Sequence, residues 1–161
     1  MRVAVSEHPY AGVKVWLFSE LNDCALLPAL ARRELRSWMG EHPALDDLKL
    51  IASELVTNAL VHGCGAWVRI SLMPTVEGER RYWRLAVVGP GAADAVPLPR
   101  IPGPDETTGR GLWVVDELTR GCWGTDLTPA GERVVWALLP RLGSQSDESN
   151  TAPVRQNEAG R

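Results

Sequence analysis

The 161 residues, 45% hydrophobic and 23% charged, suit one globular domain with an ordinary core, and a formal net charge of −3 argues against a non-specific nucleic-acid binder. Three widely separated cysteines (Cys24, Cys64, Cys122), with no Cys-x-x-Cys pair and no His at zinc-ligand spacing, indicate neither a disulfide framework nor a zinc site. No segment approaches the ~20 apolar residues of a membrane span and no apolar run follows a basic start, so a cytoplasmic protein without membrane contact is expected.

Residues 1–11 are expected to be an extension outside the domain, which spans 12–140. Val13 to Phe18 alternates β-branched and aromatic residues and predicts a first strand. Asn22 or Asp23 then caps a helix from about Ala25 to Met39, with Leu26, Leu27, Leu30, Leu35 and Trp38 available for a buried face and Arg32, Arg33 and Arg36 for solvent. Gly40 ends it. Pro43 opens a second long helix, apolar nearly all round and so expected to be largely buried, which stops at Gly63 and Gly65.

Ala66 to Leu72 and Trp83 to Val87 alternate as half-buried strands. They are expected to be antiparallel neighbours joined through Pro74 to Arg80. Gly89 to Gly109 holds five prolines, four glycines and few large apolar residues, too long for an ordinary connection and fitting a lid or binding loop. Thr107 to Gly111 opens a third helix running to Leu118, and Trp123–Leu127 and Val134–Leu138 form a closing hairpin across a Pro129-Ala130-Gly131 turn. From 141 to 161 the polar chain has too few apolar groups to offset its ordering entropy, and a disordered tail is expected. Seven Trp against one Phe and two Tyr read as core filling first. This element order predicts an α/β (α+β) protein: a two-layer sandwich of a mixed, mainly antiparallel sheet with helices on one face.

Two segments carry candidate chemistry. Ser53 to Gly63 puts Glu54, Asn58 and His62 at four-residue steps along one face of the second helix, and a carboxylate in so apolar a helix calls for a ligand, a metal or a water. An oxygen-donor pair of this kind suits Mg²⁺, with Asn58 touching the ion and Glu54 orienting or deprotonating the attacking group. His62 by itself reads as a residue suited to the helix C-terminal dipole. Gly109 and Gly111 let the backbone approach a ligand where unsatisfied N–H groups and the dipole favour an anion. A plain loop-to-helix junction with Thr108 as its N-cap is the competing reading.

Together these segments resemble the histidine-kinase-like ATPases, the GHKL or Bergerat fold, and above all their small anti-sigma-factor serine kinases. Ser-Glu-Leu-Val-Thr-Asn-Ala-Leu-Val-His-Gly (53–63) looks like the family's N box, and Thr-Gly-Arg-Gly-Leu-Trp-Val-Val-Asp (108–116) resembles its glycine box after the ATP lid. The resemblance covers roughly residues 12 to 139. It implies an ATP–Mg²⁺ site with Glu54 as general base, Asn58 as Mg²⁺ ligand, and Thr108, Gly109, Arg110, Gly111 and Leu112 around the phosphates. It also implies a sigma factor or an anti-sigma antagonist as partner, with the antagonist's serine as phosphate acceptor and no direct nucleic-acid contact; a homodimer is compatible with it. One position departs from the pattern. Where the family has an Asp that accepts the adenine amino group, this chain has Gly89, while Gly91 matches the glycine that follows. Losing that acceptor costs about 1.5–3 kcal/mol of adenine recognition. A non-catalytic interaction module with weakened or lost ATP binding is therefore the alternative function.

Overall fold

The computed structural model describes residues 2–7, 12–19, 24–62, 67–90 and 110–141. In chain order these form β1 (Arg2–Glu7), β2 (Lys14–Ser19), a 3₁₀ turn (Cys24–Leu26), α1 (Leu27–Met39), α2 (Leu45–His62), β3 (Trp67–Glu77), β4 (Arg80–Gly89), α3 (Gly111–Thr119), β5 (Trp123–Leu127) and β6 (Arg133–Pro140). The strands make one six-stranded sheet in the order β1-β2-β3-β4-β6-β5.

Every pairing in that sheet is antiparallel, which corrects the expectation of a mixed one. The reason lies in the insertion of β6. β4 and β5 share a direction across the α3 crossover, but β6 sits between them and pairs with both. Residues 2–7 were expected outside the domain, yet they form edge strand β1, with Arg2 opposite Ser19 and Glu7 opposite Lys14. The expected 141–161 tail lies outside the described residues apart from Arg141, whose N–H donates to the Arg81 carbonyl at 2.9 Å.

Alternation puts Trp16, Phe18, Val68, Ile70, Leu72, Leu85, Val87, Val135 and Ala137 on one side of the sheet, where they are buried against Leu27, Ala31 and Leu35 of α1, Leu48, Ile51, Leu55 and Val56 of α2, and Val115 of α3. That is the two-layer α+β arrangement. The opposite side has no helix among the described residues and is covered by its own long side chains. Arg84 lies over the Trp136 ring at 5.5 Å and Arg69 over Trp67 at 5.7 Å, while Trp136 Nε1 donates to Asp126 Oδ2 at 2.8 Å. Beneath this layer Ala86, Val88 and Leu138 stay buried. The tryptophans are thus only partly core filling: Trp16 and Trp83 are interior, whereas Trp67 and Trp136 lie on the open face.

The β3–β4 connection is tighter than the sequence suggests. The strands run on to Glu77 and from Arg80 across a two-residue turn in which Gly78 has φ +62°, a conformation that favours glycine. Pro74 is tolerated inside β3 because the pairing with β2 ends at Leu72, so no ladder bond is demanded of it on that side. α1 begins at Leu27 after the 3₁₀ turn, with no side-chain cap; Asn22 and Asp23, expected as caps, lie outside the described residues. α2 begins at Leu45, and the Ala44 N–H donates to His42 Nδ1 at 3.1 Å. Its burial is one-sided: Leu50 is 43% and Val61 71% exposed, since the sheet covers only one flank.

Candidate functional site

α2 lies on β4 and β6 with α1 along one flank and α3 along the other. On the α1 side, Arg32 Nη1 donates to Ser53 Oγ at 2.8 Å, and that hydroxyl donates to the Lys49 carbonyl at 2.8 Å. The α3 side carries Glu54. A β-carbon placed on Gly111 would stand 2.5 Å from Glu54 Oε2 and 3.5 Å from its Cβ, so the carboxylate rests directly on the first residue of α3. Glu54 and Gly111, more than fifty residues apart in sequence, meet there.

Burial pushes the Glu54 carboxyl above its ordinary pKa, and no charge or hydrogen bond from the described residues offsets that desolvation. Asn58, half-buried, follows one turn along the same helix face. The helix also carries His62, whose side chain lies outside the description. Among the described residues no group of three or more His, Cys, Asp or Glu could hold a metal ion. One carboxylate and one amide are nonetheless a fitting donor set for Mg²⁺, which keeps much of its water and takes one or two protein ligands beside substrate phosphates.

At the amino end of α3 the N-cap is Arg110, exposed and with no side-chain cap hydrogen bond, and its carbonyl receives the Val114 N–H at 2.9 Å. The N–H groups of Gly111, Leu112 and Trp113 precede the first such bond and have no acceptor within the helix. Leu112 is buried in the core at 8% exposure, so its side chain anchors the helix and only its backbone can serve a ligand. Thr108, Gly109 and Gly91 lie outside the described residues.

Gly89 closes β4, buried, on the helix side of the sheet. A β-carbon there would meet only Ala59 Cβ at 3.6 Å, an ordinary contact, so α2 does not demand a glycine. The neighbouring position across the ladder is Arg133 of β6, whose Nη1 donates to Thr125 Oγ1 at 3.2 Å. The sequence alone did not single out Arg133 or Ala59: only strand register and helix docking bring them to Gly89.

No family model matches the chain, and no curated protein matches it. No described helix is long and apolar enough to cross a membrane.

Proposed function

We propose that the chain is a cytoplasmic regulatory protein of the Bergerat type. It binds a purine nucleoside triphosphate, ATP by the resemblance, with Mg²⁺ between α2 and the amino end of α3, and transfers the terminal phosphoryl group to a serine of an anti-sigma antagonist or holds a sigma factor inactive. The observation that carries this reading is the seating of the Glu54 carboxylate on Gly111. Phosphoryl transfer relies on positioning and electrostatics: a base for the attacking hydroxyl next to donors for the phosphate oxygens. Glu54 supplies the first, and the N–H groups of Gly111 to Trp113, which have no acceptor within the helix, the second.

The raised pKa of Glu54 makes it a stronger proton acceptor than a solvated carboxylate. In the transfer, Glu54 takes the serine proton, the serine oxygen bonds to the terminal phosphorus, and the bridging P–O bond breaks to release the diphosphate. Asn58 would hold Mg²⁺ through its amide oxygen, and the ion would neutralise charge on the phosphate oxygens.

Gly89 favours a second reading, an interaction module of the same fold that sequesters its partner without catalysis. Calorimetry with ATP and Mg²⁺ separates the two. Micromolar binding, with phosphate transfer abolished in Glu54→Ala, supports the kinase; silence at millimolar nucleotide removes it.

A further inference from the structure

A hydroxyl that gives its proton to Glu54 must reach that carboxylate from the solvent side of α2, so the helix surface around Glu54 belongs to the acceptor's seat. This step rests on the phosphoryl-transfer reading above and concerns what the acceptor looks like. Leu50, Glu54, Thr57 and Val61 follow one another at four, three and four residues, within about 60° of the helix circumference, and form one ridge. Leu50, Thr57 and Val61 are exposed. Two apolar side chains therefore stand in solvent on the ridge that carries the carboxylate, about 6 Å before it and about 10 Å after it along the axis.

The α1 flank of this ridge is basic. Arg32 reaches Ser53, the residue before Glu54, with Nη1 2.8 Å from the hydroxyl oxygen. That bond engages one of five guanidinium N–H donors, and among the described residues no carboxylate pairs with Arg32. Arg36, exposed, follows one turn along α1, while Arg33 is held by Glu34 at 3.1 Å. The acidic groups of this surface lie at the head of α2: Asp46, which Lys49 holds at 2.7 Å, and exposed Asp47. Across the middle of the ridge a guanidinium thus stands on one side and the carboxylate on the other.

A helix laid along α2 matches that layout, because its own apolar residues one and two turns apart can cover Leu50 and Val61 together. We propose that the outer face of α2 docks the acceptor protein, and that the acceptor presents its serine to Glu54 on an acidic amphipathic helix, with apolar anchors on Leu50 and Val61 and a carboxylate on Arg32. Nucleic acid, the other partner suited to an arginine-lined flank, would leave the two apolar residues in water.

The test gives the full chain, with ATP and Mg²⁺, three synthetic peptides of about 20 residues, long enough to form a helix. The first has one serine, leucines four and seven residues to either side, and aspartates along one flank; the second has lysines for the aspartates; the third has alanines for the leucines. Phosphate incorporation is followed against peptide concentration, and ATP binding is measured separately by calorimetry. The acidic leucine peptide is expected to show a KM at least about fivefold below the other two. Leu50→Asp and Val61→Asp, at exposed positions, should raise that KM about tenfold and leave ATP affinity unchanged, and Arg32→Gln should erase the preference for aspartate over lysine. Equal use of the three peptides, preference for the lysine peptide, Leu50 and Val61 variants that match the parent, or an oligonucleotide that displaces the acidic peptide each overturn the assignment. ATP binding with no peptide phosphorylated overturns it too and leaves the nucleotide site standing. If ATP does not bind, the nucleotide reading falls and takes this inference with it.

Discussion

The Glu54 carboxylate lies on the Cα of Gly111, so close that a methyl group at residue 111 would stand 2.5 Å from Oε2. This contact ties the middle of α2 to the start of α3. It also explains why a glycine stands at that helix start, where alanine has the better helix propensity by about 1 kcal/mol.

Gly111→Ala should leave stability within about 1 kcal/mol of the parent, because the carboxylate is the mobile end of a side chain and can swing aside, and alanine favours the helix. Triphosphate binding should fall at least roughly tenfold, since the displaced carboxylate and the new methyl both enter the anion seat. Thermal melting together with calorimetry separates these effects. A variant that binds as well as the parent would remove Gly111 from the site.

Glu54 gives stability a defined pH dependence. Its folded-state pKa is raised, so the native state holds this proton more tightly than the unfolded chain. Below the ordinary Glu range both states are protonated and the residue costs nothing. As pH rises from the unfolded pKa through the raised folded value, stability falls, and above it the full penalty persists. Glu54→Gln should therefore be more stable than the parent at pH 7 and indistinguishable below about pH 4. Urea unfolding across that range reads the difference directly; equal stabilities at pH 7 would contradict the desolvation account.

Leu55 neighbours Glu54 and is fully buried between α2 and the sheet. Leu55→Ala should cost about 2–5 kcal/mol through lost transfer energy and the cavity left behind. Denaturant midpoints with an unchanged m-value would give this figure, and a loss below ~1 kcal/mol would mean that α2 closes over the gap.

On the open face, Gly124 lies under the Trp136 ring, and a β-carbon there would stand 2.6 Å from Cζ2. Gly124→Ala should lift the indole, break its bond to Asp126 and cost about 1–3 kcal/mol. The near-UV circular dichroism of the tryptophans should change while triphosphate binding holds, because this face is opposite α2. Unaltered tryptophan signals would show that the ring is not seated as described.

The elements from 13 onward were legible because periodicity is local. Apolar residues two apart predicted β2 to β6, and the four-residue spacing of Glu54 and Asn58 placed them on one helix face. β1 was missed because its place at the sheet edge is settled only by its pairing with β2. Leu50 and Val61 were expected inside because helical apolarity says how much surface wants cover, without saying how much the sheet and two flanking helices provide.

The sequence by itself determined the helix and strand segments after β1, the polar stripe on α2 and the glycine at the head of α3, since each depends on residue type and near-neighbour spacing. Only the tertiary structure decided that Glu54 rests on Gly111, that β6 separates β4 from β5, and that Arg133 stands beside Gly89. Those relations join residues some forty to sixty positions apart, and they are settled by strand register and helix docking, which a local pattern does not encode.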